Sequence, residues 1–460
     1  MSRKIYSLIA LLIGLSMIIG ACATATPQTI IQTVEVEKEV IQTVEVETER
    51  IVEVTAVPTV KAAGDKTLIV WWSHWANEPA KRLVIEKIVA DYETENPDVD
   101  IVLTWWDKNP LRDAIRSTMT AGQGAPDITT FDSDVIEWVE AGWLLDLKDT
   151  LPWENFLPGV ETDGTYPEVG YDGNYKLNLS LVTNMLLYNK DIFAELGIEV
   201  PENHQFTQSE LVDVVKKCSD AGYSGIADAV GNRPAPGTWP AFYAIMNLVG
   251  PEMFAKYHNG LTSWDTPEIR QVLDWTAELS ANGFLPASYA TMTIDEFHVY
   301  FHTQRKACMF YVPTWYTGRS FKSVSEGGQD PNWHFGMLQY PLMDNAVAPN
   351  TYWAGFESGY AALSSSPNPD VAKDILRFAA QPKYGALWTA VTNSPSSYIF
   401  DMETDWPSEE TLTAMGVKPG LWDWYWEEYN AVYGQMTPAV VPAARCGDFE
   451  AAVVAALNEG

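Results

Sequence analysis

The sequence predicts an α/β fold built on a mainly parallel sheet, and three observations predict it. Apolar strand-like runs alternate with helix-period segments from residue 67 onward. The helical segments close on stop signals, Asn96-Pro97, Gly122 and Gly142. The hydrophobic fraction is 47%, enough for a sizeable packed core. At about 150 residues per domain, a chain of this length carries a soft expectation of about three domains.

Each element follows from its residues. Thr67 to Trp72 is a run of β-formers and reads as a buried strand. From Lys81 to Tyr92, Val84, Ile88 and Tyr92 recur every four residues with Ile85 and Val89 beside them, the stripe of an amphipathic helix. Val99 to Trp106 reads as a second strand, and Leu111 to Ala121 as a helix ended by Gly122. Residues 126–131 form a short third strand. Asp134 and Glu137 then stand at capping-box spacing, opening a helix to Ala141. In a sheet of this order ligands sit at the carboxyl ends of the strands, here Trp71 to Trp75 and Phe131 to Asp134.

The first 66 residues read differently. Arg3 and Lys4 precede an apolar run from Ile5 to Ile19. At roughly 15 residues the run suits a signal-peptide core and is short for a membrane span. It ends Ile19-Gly20-Ala21-Cys22, which resembles the bacterial lipobox and implies lipid attachment to Cys22 after removal of residues 1–21. The segment Ile31 to Glu37 recurs identically at Ile41 to Glu47, alternating Val with Glu. Such a segment buries no core of its own, and its charges keep it extended. Residues 22–66 therefore read as a stalk, with an oligomerising β-structure or coiled coil as the alternative. With Cys22 lipidated, Cys218, Cys308 and Cys446 remain; one disulfide is possible, and the sequence does not choose the pair.

Charge narrows the function. Lys plus Arg is 29 and Asp plus Glu is 61, a net charge of −32. Nucleic-acid binding requires basic clusters, and none is present. An anionic cargo is disfavoured for the same reason. No P-loop or G-x-S-x-G sequence occurs, and Gly122-Gln123-Gly124 follows a helix rather than a strand, so no nucleotide cofactor is expected. His298 and His302 are four apart on an expected helix, but no HExxH accompanies them, and no metal is expected.

An ordered set of motifs points further. Ile69 to Trp75, Tyr92 to Pro97 and Ala121 to Ile128 come first, followed by Leu187-Tyr188-Asn189-Lys190 with Phe193, Gly197 and Pro201. Phe301 with Ala307 to Met309 and Trp315, Gly355 to Ala362, and Ala372 to Ala379 complete it. Over nearly all of residues 67–400 the set resembles family 1 extracellular solute-binding proteins of bacterial ABC importers, of carbohydrate-binding type. Departures are Phe206-Thr207-Gln208 where the family usually has T-W, and Arg305-Lys306 where it has Gly-Lys. Family members continue past the helix expected at 449–457, whereas this sequence stops at Gly460.

The resemblance implies a two-lobed clamp of the type II periplasmic binding-protein fold with a hinged interlobe cleft. Lobe 1 would comprise 67–180 plus 359–400, and lobe 2 181–358 plus 401–460. A neutral sugar offers flat CH faces for aromatic rings and hydroxyls for carboxylates. The implied ligand contacts are Trp72, His74 and Trp75 after the first strand, and Phe131, Asp132 and Asp134 after the third. Trp239 and Tyr243, then Trp315, and finally Trp353 and Glu357 near the recrossing strand complete them. Val182 stands where some sugar-binding relatives have Glu, with Thr183 or Asn184 as weak substitutes. Trp71 faces the core, and Trp422, Tyr425 and Trp426 share a helix face and read as core. The partners implied are a small-molecule solute, permease subunits and a membrane reached through Cys22, the protein acting as an extracytoplasmic monomer. The alternatives are a binder of a polyamine or peptide, and a secreted glycoside hydrolase pairing Asp134 with Glu357.

Overall fold

The computed structural model describes residues 66–132, 135–165, 170–231, 239–258 and 261–440. The leader, the stalk, Cys22, Asp134 and Cys446 lie outside the described residues. So does the helix expected at 449–457.

The expected alternation is present. Strands β1 (Thr67–Ser73), β2 (Val99–Trp105) and β3 (Ile128–Phe131) alternate with helices α1 (Pro79–Glu95), α2 (Lys108–Ala121) and α3 (Glu137–Glu140). Proline at the first turn opens α1, where its missing N–H costs nothing. Helix α3 is shorter than the sequence suggests. It starts at Glu137, behind Ile136; the capping box expected from Asp134 to Glu137 involves a residue outside those described.

Strands β1, β2 and β3 are parallel in the order β2-β1-β3, and β9 (Gly359–Ala362) adds antiparallel to β3. This sheet carries two cores. Ile69 and Trp71 of β1 face α1, α11 (Pro369–Ala379) and α12 (Pro382–Thr392), packing with Ile85, Ile375 and Trp388. Trp72 faces the other side, with Leu111, Phe131 and Trp138. That split is the two-residue side-chain period of a strand.

The second sheet runs β10-β8-β4-β6-β5, from β4 (Leu181–Tyr188), β5 (Ser224–Ala227), β6 (Ala307–Pro313), β8 (Thr351–Phe356) and β10 (Thr437–Val440); β7 (Gly336–Leu338) also pairs with β4. Helix α4 (Lys190–Glu195) follows β4, and the Asn189 side chain caps it by accepting from the Asp191 and Ile192 amides. Helices α5 (Gln208–Asp220), α6 (Trp239–Val249), α7 (Pro251–His258), α8 (Pro267–Ala281) and α9 (Ile294–His302) add to this lobe. Capping boxes open α5 and α9. Cys218, in α5, is disulfide-bonded to Cys308 in β6 across 90 residues of sequence, which decides the pairing among the cysteines described.

The chain passes between the sheets at residues 177–181, at Glu357-Ser358, and again after α13 (Glu409–Ala414). Leu412 still packs in the first core, whereas Trp422 and α14 (Asp423–Val432) pack in the second. The two lobes of the fold are thus one sheet domain each, joined by crossing segments.

Candidate functional site

The lobes meet where helices start at strand ends. Helix α1 begins just after β1, and α10 (Tyr316–Ser320) begins just after β6. Lys81 lies in the seam with its side chain fully buried. Its ammonium pairs with Glu78 at 2.6 Å and bonds Glu357, the residue that leads from β8 to β9. It also lies 5.2 Å from the Trp75 ring centroid. From the second lobe, Arg319 reaches Glu78 at 3.5 Å and Asp295 at 3.3 Å. The result is a chain of alternating charge, Glu357–Lys81–Glu78–Arg319–Asp295, running across the seam.

Gly318 lets the helices come this close. A Cβ there would lie 2.9 Å from Glu78 Oε2 and 3.2 Å from Lys81 Cε. Burial alone would raise the Glu78 pKa, but Lys81 and then Arg319 outweigh it and hold the carboxyl at about 2. Glu357 goes the other way: burial lifts it above the ordinary value although Lys81 pulls it down. Its Oε2 is buried without a hydrogen-bond partner.

Beside this chain sits a second cluster. Asp132 accepts from Arg112 at 2.8 Å, pairs with Lys108 at 3.1 Å, and accepts the Ser358 hydroxyl. Burial opposes its ionisation, but Lys108 and Arg112 hold it well below the carboxylate range. The His74 amide donates to the Thr130 hydroxyl. Burial holds its imidazole neutral, with a pKa of about 3, and Nδ1 has no partner.

Trp315 is half-buried at the start of α10. Its ring lies parallel to His298 at 5.7 Å, and the Arg319 guanidinium is 5.9 Å from its centroid. His298 in turn exchanges a hydrogen bond with Ser320 through Nδ1. Trp353 is also half-buried, its ring folded over Gly355, where a side chain would collide with it. His302, like His298, is packed among aromatic side chains, as its contact with Tyr316 shows. No three metal-ligating side chains come together among the described residues.

Of the residues read from the sequence, His74, Asp132, Trp315 and Glu357 lie at or next to this seam, whereas Trp353 packs against the core of the second lobe. Trp72, Trp75, Phe131 and Tyr243, which the sequence reading offers as ligand contacts, are buried under neighbouring side chains. Trp72 is 3% exposed against Trp106, and Phe131 is fully buried against Trp138. Trp75 is enclosed by Tyr360 and Trp388. Tyr243 stacks on Tyr340 at 3.6 Å inside the second lobe. Each sits at a strand end or helix that a neighbouring aromatic side chain covers. Asp134 lies outside the described residues, and the Trp239 side chain is likewise not described. Lys81, Glu78, Arg319, Arg112 and Lys108 were not anticipated. Arg319 stands one helical turn after Trp315, and that spacing was the available signal.

The profile of bacterial extracellular solute-binding proteins matches residues 75–386. An Escherichia coli K12 protein named as an ABC transporter periplasmic-binding protein, YcjN, is 24% identical over 48% of this chain and 51% of its own length. The Multiple sugar-binding protein of Streptococcus mutans is 27% identical over 29% of this chain and 30% of its own. The chain thus matches about half, or less, of the length of these curated relatives. Among solved structures, one from work on xylan utilisation by Caldanaerobius polysaccharolyticus superposes with a TM-score of 0.68 at 20% identity, over 85% of this chain and 95% of that one. A chitin oligosaccharide binding protein superposes at 0.64 and 19%, over 86% and 95%. These likenesses carry the two-lobed fold, and the profile match assigns the chain to solute binders rather than to glycoside hydrolases. The chain belongs to the bacterial extracellular solute-binding protein family.

Proposed function

We propose that the protein captures a neutral carbohydrate between its lobes and delivers it to the permease subunits of an ABC importer. The observation that carries this reading is the charge balance of the seam. Glu78, Asp132, Asp295 and Glu357 are matched by Lys81, Lys108, Arg112 and Arg319, and His74 is neutral. A polyamine would require carboxylates in excess, and here each already faces a cation. A polar, uncharged ligand exchanges hydrogen bonds with such a wall without disturbing it. Trp315 supplies the ring for a sugar's apolar face. The names of similar proteins, which bind sugars or serve xylan and chitin use, agree with this class.

Binding couples to closure because the charged chain and Trp315 belong to different lobes or bridge them. A ligand that touches both favours the closed arrangement. We assign lipidation to Cys22 and a tethering role to residues 22–66, which places a monomeric binding domain at the outer face of the cell membrane. Among the described residues no helix is long and apolar enough to cross a membrane. Cys22→Ala is expected to release the protein from the membrane fraction; retention there removes the anchor from this account.

A thermal-shift screen of mono- and oligosaccharides against spermidine, putrescine and short peptides tests the ligand class. Stabilisation by a sugar without cleavage is expected, and stabilisation by a polyamine or peptide alone overturns the reading. Trp315→Ala is expected to weaken the sugar by about 1–3 kcal/mol, the scale of a lost aromatic contact. Unchanged affinity by calorimetry removes Trp315 from the site.

A further inference from the structure

A cavity of about 860 Å³, a volume in the range of small-molecule sites, lies beside the seam. Leu83 and Phe400, which pack on the first core, line it, as do Phe321 and Trp422, which pack on the second. None of the ligand residues read from the sequence does. Pro79 and Gly318 are on its wall, chain neighbours of Glu78 and Arg319. The buried Lys81–Glu78–Arg319 contact therefore separates the cavity from Trp315. It is a compartment of its own and not a continuation of the ligand cleft.

Its lining leaves apolar surface in water. Seven large apolar side chains are exposed among the described residues, and three of them, Val324, Met402 and Leu421, line this one cavity. Exposed apolar groups gathered at a concavity mark a binding surface. Two aromatic pairs stand beside them. Trp422 stacks on Phe321 at 3.7 Å between ring centroids, and the half-buried Trp406 lies 6.1 Å from Phe400. Rings presented in this way suit a flat apolar molecule.

Charge supplies the other half of the ligand's chemistry. The chain has 61 acidic residues against 29 basic ones, yet the charged side chains lining the cavity are Lys322, Lys418 and Asp423. Asp423 stands in the first turn of α14, where the helix end offsets its carboxylate. Neither lysine has an ion-pair partner among the described residues. A local cationic excess in so acidic a protein is complementary to an anion.

We infer that the cavity is a second binding site, for a flat apolar molecule that carries a carboxylate. The rings and the exposed aliphatic groups take the apolar body, and Lys322 and Lys418 take the carboxylate. Such a molecule is not the cargo of the cleft, and the site stands whether or not a sugar binds at Trp315.

Calorimetry with 2-naphthylacetate and its neutral amide tests the site. The acid is expected to bind, and to bind about tenfold tighter than the amide. Lys322→Gln combined with Lys418→Gln is expected to remove that preference and leave the amide unchanged. Trp406→Ala is expected to weaken both compounds by about fivefold or more, and Trp315→Ala to weaken neither. The lysine variants touch neither core, so they keep the test informative should Trp406→Ala fail to fold. Absence of binding by both compounds overturns the proposal, as does equal affinity for the two. Binding that survives the lysine and Trp406 variants places the compounds elsewhere and also overturns it. Loss of binding in Trp315→Ala puts them in the sugar cleft and overturns it as well.

Discussion

Lys81 is the residue on which the electrostatics of the seam depend. It compensates Glu78 and Glu357 at once, and all three are largely buried. Removing one partner of such a group leaves an uncompensated buried charge, at a cost of about 3–5 kcal/mol. Lys81→Met keeps most of the volume and is expected to lose stability on that scale in denaturant unfolding. Mild acid should restore part of the loss, because Glu357 already sits above its ordinary pKa and protonates first. A variant no less stable than wild type would show that the ammonium is not what holds the seam. The wild type should respond to acid in the opposite sense. The Glu78 carboxyl is depressed from 4.5 to about 2, so its contribution is complete above the ordinary value and lost as pH falls through the folded one. Asp132 is depressed in the same direction. Asp132→Asn is therefore expected to flatten the acid limb of the stability profile, and an unaltered limb would assign it to other groups.

At the scale of elements, the disulfide is the feature that sequence left open. It joins α5 to β6 within the second lobe, and its two cysteines are fully buried. A cross-link closing a loop of this length restricts the unfolded chain, and its loss costs about 2–4 kcal/mol. Cys218→Ala with Cys308→Ala is expected to lower the second lobe's melting temperature, and an unshifted transition would show that the bond does not form in the native protein. The second sheet, in which β4 pairs antiparallel with β6, β7 and β8, was not legible; the first three strands and the helices alternating with them were, because hydrophobic periods and stop signals are local. The same holds for Asn189, whose cap explains why the Tyr188-Asn189-Lys190 motif turns a strand into a helix. What was not legible is how far one element covers another. Trp72 and Phe131 stand at strand ends, where a ligand was expected, yet Trp106 and Trp138 lie over them. Nothing local distinguishes them from Trp315, which stays half-buried because α10 begins there. Trp426 shows the converse. Its helix spacing with Trp422 reads as core, and the structure puts one edge of that face on a cavity.

For the whole molecule, closure depends on the approach of α1 to α10. The approach combines attraction through Arg319 and Glu78 with the absence of a side chain at Gly318. A branched side chain at 318 would meet Glu78 Oε2 and Lys81 Cε, so Gly318→Val separates the lobes without touching either core. Apparent affinity falls with the fraction of molecules able to close. The variant is expected to show a larger radius of gyration in solution scattering and weaker sugar binding, with the chemical unfolding of each lobe nearly unchanged. Arg319→Ala removes the attraction without adding bulk and should act in the same direction by a smaller amount. Because Arg319 also lies over Trp315, its loss affects ligand contact as well as closure. Gly318→Val leaves the Arg319 guanidinium over Trp315 in place, so the pair distinguishes loss of that contact from loss of the close approach. If scattering and affinity are both unchanged in Gly318→Val, the approach of α1 to α10 does not set closure, and the lobes close on some other surface.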